Sequence, residues 1–578
     1  VILALALFAC NPPPSAEDLA GTRAGRVDFF FNDPGTRPSN LWQPDFINVM
    51  VNLIDNSTST LDCAAMGFTL QPLIDAIIRA HDRGVRVRFV GDSGHLNNTG
   101  YIQLQQRHIP IMVGNFAHIM HNKFLVADSR FVFAGTGNWS KSDLRQNWNN
   151  FVVMDSPEVA RDFTDEFEQM FAGRFGYNKV EIDNGRSYTL GDTTIEVWFS
   201  PNEDVLGRML EVLDGAEESV RFTIFAMTKD QVGGLLVRKQ EEFDELDASE
   251  GVDLSLPYEE RRRVSGVIDQ SQLHSNGQYH EAYRMLQAGI DLRMDGNDNS
   301  EHPGDYQAGG GRLHSKTMII DPEGENPTVI TGSFNWSAAA TQSNDEFLLV
   351  MHGKRVADAY VKYFDYLYGT GRPLGSTFVG DGPDDIQPGD VVINEVMWYG
   401  VNSQDADGND EFIELRNLTD RDLDLSMWQI ANEQDIVVGL VPGSKIPAGG
   451  TFLILDHTLE PYQDGVPQDE VSAFRNGDLV LNSFNDNRQS RLYLKDGNLE
   501  LHLRDPLGSE VDTVGDGGAA FAGGPGGSAA YSMERNDAPG DGADPASWHA
   551  CRLSQGGENV NDAFKREVVA SPGESNSR

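Results

Sequence analysis

The sequence predicts an α/β architecture built twice, followed by an all-β sandwich. Three observations carry that expectation. The pattern His-x-Lys-x4-Asp occurs at His121, Lys123 and Asp128, and again at His314, Lys316 and Asp321. Apolar strand patterns alternate with helical spacing upstream of each copy, which is the signature of α/β units. Beyond residue 390 helical spacing disappears and short strands separated by turns take over.

The duplication extends well past the motif. Each copy is followed by Gly-x-x-Asn-Trp-Ser, at 135–140 and 332–337, after a turn four residues longer in the second copy. From there the copies align without gaps, so that Val153-Met154 falls on Val350-Met351. Upstream, residues 27–34 (VDFFFNDP) and 195–201 (IEVWFSP) are alternating, aromatic-rich strands ending at a proline turn. Residues 60–66 and 220–227 are apolar runs short enough for buried strands. Residues 72–83 have helical spacing and stop at Gly84. Residues 87–92 then pair with 264–269. The first half is placed at 26–180 and the second at 190–372.

The repeated residues suit phosphate chemistry. In a strand, side chains two apart share a face, so His121 projects with Lys123 and His314 with Lys316. Halves packed about a pseudo-two-fold axis would place an imidazole on each side of a pocket and line it with two ammonium groups. In-line displacement at phosphorus needs a nucleophile, a proton donor opposite it and cations on the equatorial oxygens. Histidine titrates near neutral pH and suits both proton roles. Asn138 and Asn335 carry amide donors that can bind phosphate. Asp128 and Asp321 have the opposite strand parity and sit beside a turn, so they are read as supports. His95 and His118 have no counterpart of this kind and are read as ordinary surface or supporting residues.

These paired motifs resemble the phospholipase D superfamily in its two-motif, single-chain form, over residues 26–372. The resemblance implies a two-step mechanism through a covalent phosphohistidine with no metal, and a monomer, since one chain holds both motifs. Family precedent makes His121 the nucleophile and His314 the general acid/base. It also implies a histidine-orienting residue downstream of Asn-x-Ser. Counting within each half, that residue is Glu346 in the second and Asn149 in the first. A carboxylate partner favours the imidazolium, so His314 is expected to hold its proton more readily than His121.

Residues 240–263 (QEEFDELDASEGVDLSLPYEERRR) have no counterpart in the first half and read as a solvated loop or exposed helix, with a lid as the sharper alternative. Residues 373–389 read as a linker. Strands follow at 390–396, 411–417, 423–430 and 450–455. Together with residues 532–535, Trp548 and 571–576, they resemble the lamin tail domain, an immunoglobulin-like sandwich, over 390–578. That resemblance implies an accessory role, binding an unidentified surface or polymer. Asp405, Asp407 and Asp410 suggest a calcium loop but lack the distal Glu of an EF-hand; a turn-rich loop is the simpler reading.

Residues 1–10 (VILALALFAC) form an apolar run too short to cross a bilayer. They are read as part of a bacterial lipoprotein signal with Cys10 lipidated, and 11–25 as a linker, which places the protein outside the cytoplasm, membrane-anchored or secreted. A plain secretory segment is the alternative. Cys10, Cys63 and Cys551 build neither a disulfide framework nor a metal cluster.

The net charge of −43 opposes tight non-specific binding to DNA outside a local basic pocket. Lys123, Lys141, Arg145, Arg312 and Lys316 would keep such a pocket positive. The favoured function is an extracytoplasmic, metal-independent nuclease. A phospholipase D or cardiolipin hydrolase-like activity on phospholipids is the alternative, and a non-catalytic surface-binding protein is the third class.

Overall fold

A computed structural model describes residues 25–32, 46–182, 185–253, 256, 261–276, 280–295, 311–374, 386–399, 411–432, 436–440, 444–455, 478–480, 492, 494, 498–506, 509–526, 529–552, 558–561, 567–571 and 576. Cys10, Asp405, Asp407 and Asp410 lie outside these residues, as do the signal segment and linker positions 375–385. Both α/β halves fall in one compact unit running to Pro373, and the β-rich C-terminal region forms a second with residues 273–289.

In the first half, β1 (Arg26–Phe31), β2 (Thr60–Ala65), β3 (Arg86–Asp92), β4 (Ile111–Gly114), β5 (Lys123–Ala127), β6 (Phe131–Gly135) and β7 (Asn150–Asp155) form one sheet. Its order is β1-β7-β6-β5-β2-β3-β4. The second half has β8 (Arg186–Leu190), β9 (Thr193–Ser200), β10 (Ser219–Ile224), β11 (Arg263–Ile268), β12 (Asp291–Met294), β13 (Lys316–Ile320), β14 (Thr328–Gly332), β15 (Glu346–His352) and β16 (Arg372–Pro373). Its order is β16-β12-β11-β10-β13-β14-β15-β9-β8. Without β8 and β16 the two orders are identical, and even the register repeats: Lys123 lies opposite Ala65, and Lys316 opposite Ile224.

The central strands are covered on both faces, which is why β5 after Lys123 and β13 after Thr317 read as apolar runs. Helices α1 (Phe46–Asp55), α2 (Gln71–Asp82) and α3 (Thr99–Gln106) supply one cover of the first sheet. As the spacing predicted, α2 starts with a proline in its first turn and is followed by Gly84 at φ +93°. The short α4 (Lys141–Arg145) follows the Asn-Trp-Ser element. A single core joins the halves: α5 (Pro157–Phe171) contributes Phe163, Phe167 and Met170 to a cluster that also holds Phe124 of the first sheet and Phe347 of the second. The insertion continues α6 (Asp230–Glu250), which ends at Gly251 in a left-handed conformation, and Arg262 returns to pair with Asp247 at 2.6 Å. Helix α7 (Lys354–Thr370) adds Tyr360, Tyr363 and Phe364 to the shared core.

In the second unit β17 (Val391–Met397) pairs with β18 (Phe412–Asn417), and β18 with the strand Thr451–Leu455. The expected strand at 423–430 is two pieces, β19 (Leu423–Asp424) and β20 (Gln429–Ala431), which belong to different sheets. Asp424 accepts from the Ser426 amide at 2.8 Å and Met427 takes φ +67°, so the chain turns there and changes sheet. Trp428, Ile393, Leu415 and Leu503 share the sandwich core. Cys551 is buried with Glu395 and Glu534, one donor atom of each within 4.8 Å of the others. This grouping arises from strand pairing rather than spacing, and Ser571 donates its amide and hydroxyl to Glu395.

Candidate active site

The two motifs meet because each half reaches into the other. The segment before β5 bridges to the segment before β15: the His121 amide donates to Asp345 O at 2.9 Å. Symmetrically, the His314 amide donates to Trp148 O at 2.9 Å, just before β7. At the end of β3, Asp92 accepts from the Met120 amide at 2.9 Å; Asp269, after β11, accepts from the Leu313 amide at the same distance. Two aspartates that the sequence pairs only as strand ends thus fix the chain entering each motif histidine.

This crossing overturns the expected histidine partners. Glu346 orients His121, with Oε2 2.6 Å from Nδ1, and Asn149 orients His314, with Oδ1 3.1 Å from Nδ1. Counting within a half fails because β15 and β7 each run past the opposite motif. The expected order of proton affinity is therefore withdrawn. Burial pushes both imidazoles below 6.5, and Glu346 opposes the shift at His121. His314 falls further, because burial is joined by Lys316, Lys123 and His121.

The tautomers follow from these contacts. Asn149 donates through Nδ2 to Asp143 O at 2.8 Å, and its Oδ1 also accepts from Thr136 at 2.7 Å, so Oδ1 is the atom that faces His314. Each histidine then donates from Nδ1 and leaves Nε2 for a substrate. The ammonium of Lys123 donates to His121 O at 2.6 Å, and Lys316 to His314 O at 2.5 Å. Both lysines are buried: desolvation lowers Lys123 to about 8, and desolvation together with Lys123 lowers Lys316 well below its usual range. An anion entering between them would relieve both shifts.

Asn138 and Asn335 follow β6 and β14, and the side-chain oxygen of each is buried without a protein donor. Asp128 and Asp321 stand at the far ends of β5 and β13. Asp128 accepts from the amides of Thr58, Ser59 and Thr60, and Asp321 from those of Glu217, Glu218 and Ser219. His95 pairs with Asp92 at 2.9 Å, and His118 is exposed. Three residues of the site lack a cue in the motif. Asp143 on α4 lies 3.6 Å from His314 Nδ1, at a position held by alanine, Ala340, in the other half. Asn150 donates to Ser315 and Thr317 and accepts from Thr331 and Tyr360, tying β7 to the second sheet. Phe225 packs against the His314 ring at 4.7 Å and lies 4.9 Å from Lys316 Nζ.

Residues 50–171 and 209–368 match the family model described as "Cardiolipin synthase, PLD-like domain", and 385–518 match the Lamin Tail Domain model. The chain carries a phospholipase D-like domain and a lamin tail domain. The phospholipase D-like region is similar to the mitochondrial cardiolipin hydrolase of Chlamydomonas reinhardtii, 25% identical over 130 residues, which is 22% of this chain and 58% of that protein. The Danio rerio protein of the same description is 30% identical over 148 residues, 25% of this chain and 65% of its own. The chain thus matches under two thirds of the length of these relatives. Among solved structures, the phospholipase D family member Nuc of Salmonella typhimurium aligns with 23% identity and a TM-score of 0.24, covering 32% of this chain and 98% of Nuc. Phosphatidylserine synthase of Haemophilus influenzae aligns with 11% identity and a TM-score of 0.44, covering 60% and 87%.

Proposed function

We propose that the phospholipase D-like domain hydrolyses phosphodiesters in two steps through a phosphohistidine on His121. Nε2 of His121 attacks phosphorus, and the leaving oxygen takes a proton from His314 Nε2, which is protonated in the substrate complex, where the phosphate offsets the charges of Lys123 and Lys316 that lower His314 in the free site. His314 then removes a proton from water, whose oxygen attacks phosphorus and releases His121. Lys123 and Lys316 neutralise the non-bridging oxygens, while Asn138 and Asn335 orient them. The carboxylate of Glu346 offsets the positive charge that His121 acquires as the nitrogen–phosphorus bond forms, which favours His121 over His314 as nucleophile. One observation supports the reading above all: both Nδ1 atoms are engaged across the halves, presenting two free Nε2 atoms beside two buried ammonium groups.

Two substrate classes fit this chemistry. Nucleic acid, the sequence's favoured class, draws support from Arg312, whose guanidinium lies 5.9 Å from the Phe225 ring beside His314. Phospholipid draws support from the described activity of the cardiolipin hydrolases to which the chain is similar. The test is turnover of single-stranded DNA, RNA, cardiolipin vesicles and bis(p-nitrophenyl) phosphate in excess EDTA, with His121→Ala and His314→Ala as controls. Turnover of any of them that both variants abolish supports the reading. Turnover that survives both variants overturns the assignment of the two histidines, and none with any substrate overturns the reading and leaves a binding role. Lipidation at Cys10 and an extracytoplasmic location complete the proposal.

A further inference from the structure

The end of the first sheet that carries His121 is apolar on its outside. Strands β2, β3 and β4 run parallel, and β5 runs antiparallel to β2, so the loop from β4 to β5 lies at the same sheet end as the histidine. In that loop Phe116 is 82% exposed and Ile119 40%, immediately before buried Met120 and His121. Helix α5 returns to this end, and the loop after it exposes Tyr177 by 66% and Val180 by 64%. Leu96, after β3, adds a fifth such side chain, 46% exposed. Five of the eight exposed large apolar residues among the described residues therefore gather at one sheet end. Chance scatter of single apolar residues over a surface does not produce this.

The two principal loops are held rigidly to the catalytic segment. Asn115 donates to Asp345 Oδ2 at 2.8 Å, the Gly176 amide donates to Asp345 Oδ1 at 2.7 Å, and Lys179 pairs with the same carboxylate at 3.0 Å. Asp345 is also the residue whose carbonyl binds the His121 amide. Phe116 and Tyr177 border a common groove of about 450 Å³ whose lining contains no Lys, Arg, Asp or Glu.

We propose that this rim, built on Phe116, Ile119, Tyr177 and Val180, docks the phospholipase D-like domain onto the surface of a zwitterionic phospholipid bilayer. The charge pattern selects this partner. A stacking platform for single-stranded nucleic acid pairs its aromatics with a cationic groove, and this groove has none, on a chain of net charge −43. Anionic membranes are disfavoured for the same reason. A rim of two aromatic and two aliphatic side chains, with only exposed Arg174 and His118 as basic neighbours in its two loops, instead inserts at the headgroup boundary, where apolar burial supplies the binding. The proposal rests on the phosphodiesterase reading only for its consequence, that chemistry takes place at the bilayer surface.

The test uses the full chain and the double variant Phe116→Ser/Tyr177→Ser, with Val180→Asp as an independent variant, in flotation with phosphatidylcholine vesicles. Binding to a single-stranded oligonucleotide and turnover of soluble bis(p-nitrophenyl) phosphate are measured in parallel. The expected result is vesicle binding by the parent, a loss of about tenfold or more in both variants, and unchanged turnover of the soluble diester. Failure of the parent to float while it turns over the soluble diester overturns the docking surface alone. A variant that weakens oligonucleotide binding and leaves flotation intact overturns it in favour of base stacking. Flotation without turnover of any diester sinks the phosphodiesterase reading and leaves the surface standing.

Discussion

Glu346 Oε2 lies 2.6 Å from His121 Nδ1, a contact across 225 residues that joins the second half to the first. The equivalent contact at His314 is with a neutral amide, 3.1 Å away. Two halves with the same strand order thus present two chemically different imidazoles.

Removing that charge should slow attack. Glu346→Gln keeps a hydrogen-bond acceptor but not the carboxylate, and is expected to lower kcat by about 10²–10³-fold with little change in KM. Asn149→Ala should cost less, because a neutral partner does not offset the charge on the ring. Steady-state kinetics on bis(p-nitrophenyl) phosphate check both; the reverse ranking would put the nucleophile at His314.

The buried lysines set the alkaline limit. Lys123 must be protonated to bind phosphate, and burial lowers it to about 8. On the acid side His121 must be neutral to attack, and burial holds it below 6.5. On bis(p-nitrophenyl) phosphate, whose leaving group needs no proton from His314, kcat/KM is therefore expected to fall as pH rises through about 8, and as it drops below the ordinary histidine range. The double variant Lys123→Arg/Lys316→Arg, whose guanidinium groups do not titrate there, should remove the alkaline limb while lowering the plateau. A limb near 8 that persists in this variant would assign it to another group.

Asp143 is the carboxylate nearest to His314, at 3.6 Å. Its loss should leave less of His314 in the protonated form, and this matters only when the leaving group needs a proton. Asp143→Asn is expected to slow a methyl ester leaving group by about tenfold while sparing p-nitrophenolate. Equal slowing of both substrates would make Asp143 merely structural.

Asp128 accepts three consecutive backbone amides at the end of β5 opposite His121. Asp128→Ala should destabilise the domain by about 1–3 kcal/mol, reduced from the buried value because the carboxylate is partly exposed. Those amides hold its carboxyl below the ordinary range despite the opposing effect of burial. Its contribution is thus full above the ordinary Asp range and lost as pH falls through the lowered value. Denaturant titration at two pH values reads both effects, with kcat per folded molecule unchanged. A dead but stably folded variant would instead place Asp128 in the chemistry.

The strands and the motif register were legible because they depend on local periodicity: the apolar runs at 60–66 and 220–227 fall on β2 and β10, and the Lys123 and Lys316 positions repeat in register. The histidine partners were not, since which histidine Glu346 reaches depends on bridges such as Met120 to Asp345 that no spacing encodes. Asp143 was hidden for a related reason: the repeat directs attention to matched positions, and its counterpart is Ala340. The break in the strand at 423–430 turns on one Asp424 hydrogen bond, which an apolar pattern does not reveal. The apolar rim combines residues from two separate loops, each ordinary when read alone.

The central claim is that His121 carries the phosphoryl group, and covalent trapping tests it most directly. His314→Ala, incubated with bis(p-nitrophenyl) phosphate, retains a nucleophile and needs no acid for p-nitrophenolate, but lacks the base for hydrolysis. Alkaline quenching and peptide mapping should find one p-nitrophenyl phosphate adduct per chain, on His121. An adduct on another residue, or release of p-nitrophenolate with no adduct during turnover, would contradict the account.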